Sequence, residues 1–226
     1  TGSVTYRQGS KVYIANVGDS QTVLVTVNPP APAENQSDRN SNQKQKQKQK
    51  QKQKQRQKPT ATISYMTAKH KPSMPAEKAR IEAMGGKIFV NKKNGMTRVN
   101  AYSSVAHETI SLAMSRAIGD LEWTRIGVTA EPDIDVIDLQ HLPGTNNTSS
   151  VSSSPASSPT IFLIAASDGL WDVRRREFFA NQFAECFDGP QATPPIHQLW
   201  QIIRKVTPTN PKWYRDDITA ILRLMD

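Results

Sequence analysis

Three aspartates stand where strand-like runs end or begin. Asp19 follows the run Val12 to Val17, Asp168 follows the apolar run Ile161 to Ala166, and Asp216 precedes Ile218 to Leu224. Carboxylates at the mouths of strands in one sandwich can converge, and converging carboxylates repel unless a cation sits between them. Oxygen donors without a Cys or His partner favour Mg²⁺, Mn²⁺ or Ca²⁺ over zinc. Taken singly, each Asp-Gly or Gly-Asp pair also reads as a turn dipeptide, since Asp and Gly are the usual turn residues. Cysteine-based chemistry is disfavoured, because Cys186 has Ala192 where a C-x5-R phosphate loop needs arginine. As the single cysteine it also excludes an intramolecular disulfide and a cysteine-rich zinc site, and it fits a reducing compartment.

The elements that must position these residues are legible in the patterning. Two β-branched runs within Val4 to Val27, split by Arg7-Gln8-Gly9-Ser10-Lys11, predict a hairpin, and Gln21 to Val27 predicts a further strand. Ala76 to Met84 reads as a helix stopped by Gly85-Gly86, followed by a short strand at Lys87 to Val90 and a turn at Asn91 to Gly95. Ile134 to Leu139 alternates in strand fashion, and Ile161 to Ala166 has the continuous apolar character of a strand buried on both faces. Helices are expected over Glu177 to Phe187 and Ile196 to Val206, where the apolar residues recur at helical spacing. A strand at Ile218 to Leu224 closes the chain. Strands in meander order with helices in the last third and no βαβ alternation argue for an α+β fold.

Composition limits what else the chain does. The 226 residues are 36% hydrophobic and carry 29 basic against 20 acidic side chains, a net charge of +9. Eight of the basic residues lie between Gln43 and Lys58, where Gln alternates with Lys or Arg; without them 21 remain against 20, about +1. The positive charge therefore belongs to one segment, 28–60, which cannot bury enough apolar surface to order itself and is read as a disordered insertion. The Ser- and Pro-rich stretch 143–160 is read as a second, flexible loop. The Gln/Lys tract could bind a polyanion in a salt-sensitive way, but it lacks aromatic residues for base stacking, so no nucleic-acid partner is assigned. No apolar run approaches the roughly 18 residues of a membrane span.

Six blocks then resemble, in order, those of the metal-dependent serine/threonine protein phosphatases of type 2C, the PPM family. They are Asn16-Val17-Gly18-Asp19-Ser20; His70-Lys71-Pro72 with Glu77-Lys78-Ala79-Arg80-Ile81 and Gly85-Gly86; Leu112 to Asp120; Glu131-Pro132-Asp133; Ala166-Ser167-Asp168-Gly169-Leu170-Trp171-Asp172-Val173; and Arg215-Asp216-Asp217-Ile218-Thr219. The resemblance implies an α-β-β-α four-layer sandwich of two antiparallel sheets flanked by helices, here without its N-terminal strands. It implies Asp168 and Asp216 as ligands of a centre holding two Mg²⁺ or Mn²⁺ ions, with Asp19 and Asp172 at a possible third metal site and Gly169, Arg116 and Asp120 in loops near it. The family's nucleophile is a metal-bridging water, so no side chain is assigned that role. His70 is expected to cap or pack rather than to bind metal. The implied activity is hydrolysis of phosphoserine and phosphothreonine in proteins by a monomeric intracellular enzyme, cytoplasmic or nuclear.

The chain also departs from the pattern. The family's D-G-H-G stretch, source of the carboxylate bridging both metals, and its upstream R-x-x-x-E-D segment are not found in the sequence. Lys69 stands where an acidic residue commonly precedes His-Lys-Pro, and Ala101 to Ile110 lengthens the stretch before Leu112. This polypeptide alone is therefore expected to be inactive. It reads as a fragment of an active phosphatase, starting in mid-hairpin without Met, or as a pseudophosphatase that holds phosphoproteins or other partners without hydrolysing them.

Overall fold

In the computed structural model the expected hairpin is the first feature: β1 (Gly2–Gln8) pairs antiparallel with β2 (Lys11–Val17), Tyr6 opposite Tyr13. Gly9, at φ 60°, supplies the left-handed residue that this reversal requires. The structure describes residues 1–28, 60–143, 159–187, 194–207 and 216–225. Apart from their end residues, the insertion expected over 28–60 and the loop expected over 143–160 lie outside the described residues, as does Arg215.

Two antiparallel sheets face each other. The smaller runs β1-β2-β8, with β8 spanning Asp133–Asp138. The larger runs β10-β9-β3-β4, built from β3 (Gln21–Asn28), β4 (Thr60–Met66), β9 (Thr160–Ala166) and β10 (Ala220–Leu224). Alternation sends β3 and β9 in two directions at once. Leu24 and Leu163 meet Val12 and Ile14 of β2 between the sheets, with Leu139, Leu142 and Met225 at the margin. Val23, Val25, Val27, Phe162 and Ile164 face the other way, onto Leu170, Trp171, Phe179, Phe183 and Ile202. These last come from the helical layer, α3 (Asp168–Trp171), α4 (Arg176–Ala184) and α5 (Pro195–Val206). Each such side chain removed from water contributes about 1.5–3 kcal/mol, so β3, buried on both faces, is the centre of the molecule. Its two buried threonines are paired rather than orphaned, Thr22 with Ser3 and Thr26 with Ser64, both at 2.6 Å.

The smaller sheet has a different outer face. Val4, Tyr6, Ile134 and Val136 flank Tyr13 and Ala15 on the side away from the larger sheet, and all four remain more than half exposed.

The strand expected at Lys87 to Val90 is β5 (Lys87–Val90), and it joins two strands that were not foreseen, β6 (Thr97–Ser103) and β7 (Glu108–Leu112), in a third sheet, a meander. The stretch read as an extension before Leu112 is thus the β6–β7 hairpin. This sheet packs with α1 (Pro75–Ala83) and α2 (Leu121–Thr124) through Ile81, Val99 and Trp123, whose indole N–H donates to the Val99 carbonyl. Two smaller differences have local causes. Helix α4 ends at Ala184 and tightens into a 3₁₀ turn over Glu185–Phe187. Strand β10 begins at Ala220 rather than Ile218, because Thr219 pairs with Ser167 instead of continuing the ladder.

Candidate functional site

The site is built where β9 ends. Ser167 ties that end to the segment before β10: its backbone N–H donates to the Thr219 carbonyl, and its hydroxyl accepts from the Thr219 N–H at 3.1 Å and donates to the Asp217 carbonyl at 3.0 Å. The two segments close so tightly that a Cβ on Gly169 would lie 2.3 Å from the Asp217 carbonyl oxygen and 3.1 Å from that of Asp216. Glycine is therefore required beside Asp168 for close approach of backbone, and that approach brings Asp168 and Asp216 to one place. Asp172 follows one helical turn after Asp168, its N–H bonded to the Asp168 carbonyl at 2.8 Å, so both carboxylates share a side of α3.

Behind them, Trp171 fixes the turn. Its indole N–H donates to the Ala166 carbonyl at 2.8 Å and the Gln21 carbonyl at 3.1 Å, and its ring meets Phe179 edge to face. Arg176 lies over the same ring and donates to the Gln21 side chain. Trp171 is thus a core anchor directly under the aspartates.

Asp19 arrives from the turn between β2 and β3, held by residues 67–71. The Gly18 N–H donates to His70 Nδ1 at 3.0 Å, and the His70 N–H returns a bond to the Gly18 carbonyl. With Nδ1 accepting, the ring proton sits on Nε2 and is donated to Asp133. His70 is buried and fully used in holding this turn. Asp19, also buried, accepts from the Lys71 ammonium at 2.5 Å, while Lys69 reaches Asp172 at 2.8 Å.

The electrostatics show the convergence. Burial raises the Asp168 carboxyl above its ordinary range, and the charges of Asp19, Asp216 and Asp172 raise it further, while Lys71 pulls it back. Even so, among the described residues no three His, Cys, Asp or Glu side chains close on a common cation position. The donor chemistry of these carboxylates suits a hard divalent ion, while Asp19 and Asp172 are each already turned to a lysine.

Arg116 and Asp120 are the residues expected in loops near the site. Arg116 donates to Glu77, to Asp133 at 2.7 Å and to the Glu131 carbonyl, so its guanidinium is committed to structure. Asp120 is exposed in a left-handed conformation at the start of α2, on the side of the third sheet. Ser167 and the pairing of Lys69 and Lys71 had no signature in the sequence; 103 residues separate Lys69 from Asp172.

Comparison with known proteins agrees with this architecture. The family profile "Protein phosphatase 2C" matches residues 1–185. A relative from Arabidopsis thaliana, "Probable protein phosphatase 2C 73", is 30% identical over 222 residues, 98% of this chain and 46% of that protein. "Probable protein phosphatase 2C 12" of Oryza sativa subsp. japonica is 29% identical, over 78% of this chain and 33% of its own length. The solved structure of a serine-threonine phosphatase 2C from Toxoplasma gondii shares the fold, at a TM-score of 0.51 and 20% identity, covering 96% of this chain and 55% of that one. The chain belongs to the protein phosphatase 2C family. It spans a third to a half of the length of these curated relatives.

Proposed function

We propose that the whole protein hydrolyses phosphoserine and phosphothreonine in proteins, and that Asp168 and Asp216 hold the Mg²⁺ or Mn²⁺ it needs. The observation that carries this is the placing of Asp168, half-buried at the end of β9 and within reach of the charges of Asp19, Asp216 and Asp172; burial first and those charges second raise its carboxyl, an arrangement that a bound cation would relieve. When bound, divalent ions would supply positive charge to a phosphate and acidify a water. The chain's own residues do the positioning. Ser167 and Gly169 bring the two aspartates together, Trp171 supports them, and His70 holds the Asp19 turn. The substrate is a phosphoprotein and the acting species a monomer in the cytoplasm or nucleus. Among the described residues no helix is long and apolar enough to cross a membrane.

In the full-length protein, Asp168→Ala should lower Mn²⁺-dependent release of phosphate from a phosphoserine peptide by at least roughly 100-fold, the scale of losing a group that stabilises transition-state charge. Unchanged turnover would refute the assignment. A second reading, a silent phosphoprotein-binding module, is favoured by the two lysines turned onto Asp19 and Asp172. Retention of a phosphopeptide without any Mn²⁺-dependent turnover in the full-length protein would select it.

A further inference from the structure

We propose that the outer face of the third sheet is a docking surface for an acidic segment of a protein partner, an extended stretch in which Asp or Glu residues follow a bulky apolar side chain. Only the choice of a protein as partner rests on the phosphoprotein reading; neither the carboxylate cluster nor a metal is involved.

Positive charge is concentrated here. Residues 83–107 hold Lys87, Lys92, Lys93 and Arg98 and no Asp or Glu, whereas the whole sequence outside the Gln/Lys tract sums to about +1. Among the described residues Lys87, Lys92 and Lys93 have no ion-pair partner, so their charge is open to a ligand.

Alternation decides what stands on the face. Ile88 and Val99 turn inward onto the cluster of Ile81 and Trp123, so Lys87, Phe89, Arg98 and Asn100 turn outward. Lys87 lies opposite Asn100 and Phe89 opposite Arg98, and the β6–β7 hairpin adds Ser111 beside Asn100. Phe89, Val90, Met96, Arg98, Asn100 and Ser111 line a cavity of about 330 Å³. Its apolar part is Phe89, Val90 and Met96, each about half exposed. In its polar part the Asn100 side-chain carbonyl accepts from the Ser111 hydroxyl at 2.7 Å, which leaves the amide N–H groups to a ligand. Arg98, Lys87 and this amide all donate, the complement of carboxylate oxygens. Lys87 and Arg98 are diagonal cross-strand neighbours about 7–8 Å apart. Alternate side chains of an extended peptide recur at about 6.6 Å, a close match.

The loop that closes the cavity is preorganised. Asn91 Oδ1 accepts from the Lys93 N–H at 2.9 Å, Asn94 Oδ1 accepts from the Met96 N–H at 3.1 Å, and the Asn91 N–H donates to the Met96 carbonyl at 2.8 Å. Docking therefore orders little that is not already ordered. Aliphatic walls at Val90 and Met96 seat a side chain, whereas bases need a free ring face, and the relatives above are named as protein phosphatases.

The test measures, by fluorescence anisotropy in EDTA, binding to this 226-residue chain of a short, labelled, unphosphorylated peptide with Leu followed by Glu at alternate positions. Neither metal nor turnover enters, so a negative result leaves the phosphatase reading untouched. The wild type should hold this peptide at least about tenfold more tightly than one with Gln for Glu, and the difference should shrink as salt rises. Lys87→Glu with Arg98→Glu should lose about tenfold and Phe89→Ser about threefold, with circular dichroism as the folding check. If the double variant does not fold, Lys92→Glu with Lys93→Glu, in the exposed turn, supplies the charge reversal and should weaken binding about threefold. Replacing every basic residue between Gln43 and Lys58 by Gln should leave the preference for Glu in place. Equal binding of the Glu and Gln peptides overturns the inference, as does a folded charge-reversed chain with wild-type affinity or binding that disappears with the tract. Binding of a single-stranded RNA that is lost in the same variants, with no peptide held, also overturns it and gives the face to nucleic acid.

Discussion

The Glu77 carboxylate accepts from the Arg116 guanidinium at 2.7 Å while also taking two bonds from Arg80 and one from the Ser115 hydroxyl. Through Arg116 and Asp133 the same network reaches His70, and through His70 the turn that carries Asp19. Helix α1 is thus wired to the edge of the site by charge rather than by packing alone.

Removing that carboxylate takes the shared counter-charge from Arg80 and Arg116, while Arg116 keeps Asp133. Glu77→Ala should cost about 3–5 kcal/mol, the scale of breaking a buried pair from one side, read as a lower urea midpoint with little change in slope.

Acid should act on the same group. Burial would raise the Glu77 carboxyl, but the bonds from Arg80, Arg116 and Ser115 outweigh it and hold it at about 2, against 4.5 unperturbed. The folded state therefore binds this proton more weakly than the unfolded chain. Its stabilisation is present in full above pH 4.5 and is lost as pH falls toward 2, a change on the order of 1–3 kcal/mol. Asp133, also held low by His70 and Arg116, contributes in the same direction. A Glu77→Gln chain should show a shallower loss of stability between pH 4.5 and 2 in chemical denaturation; an unchanged slope would count against the assignment.

Gly169 admits no side chain. Gly169→Ala places a methyl against the Asp217 carbonyl, so it should lower stability by about 1–3 kcal/mol and part Asp168 from Asp216. In the full-length protein the second effect should appear as a loss of Mn²⁺-dependent turnover larger than the fall in melting temperature explains.

Cys186 should be slow to react. Burial, with the Glu185 charge, pushes its thiol up to about 11, which leaves about a thousandth as thiolate at pH 8. Labelling by a disulfide reagent should be slow in the native chain and fast once denaturant opens it.

Much of this arrangement could be read from the residues, because it is local. Strand β9 announces itself as six apolar residues that stop at Ser167-Asp168-Gly169, and α5 by Leu199, Ile202, Ile203 and Val206 at helical spacing. That the charges of Asp19 and Asp216 reach Asp168 was legible because each lies at a strand end, where a sheet delivers its loops to one rim. What was hidden is non-local. No pattern near Lys69 points to Asp172, and Arg116 reads equally as a site loop or a structural cation until Glu77 and Asp133 are seen around it. Of the third sheet only Lys87–Val90 was read; its other two strands were missed because they are half-polar, and Thr97–Ser103 alternates too weakly to stand out.

The uneven burial of the two sheets sets an order of opening. Strand β3 has a hydrogen-bonded neighbour on each side and apolar layers above and below, so its amides are released only when the whole molecule unfolds. Among the described residues strand β1 lies at the edge of its sheet, paired to β2, with Val4 and Tyr6 facing water. Hydrogen exchange should therefore proceed inward from β1, whose amides open first while β2, with Val12 and Ile14 fully buried, and the floor under Asp168 stay closed.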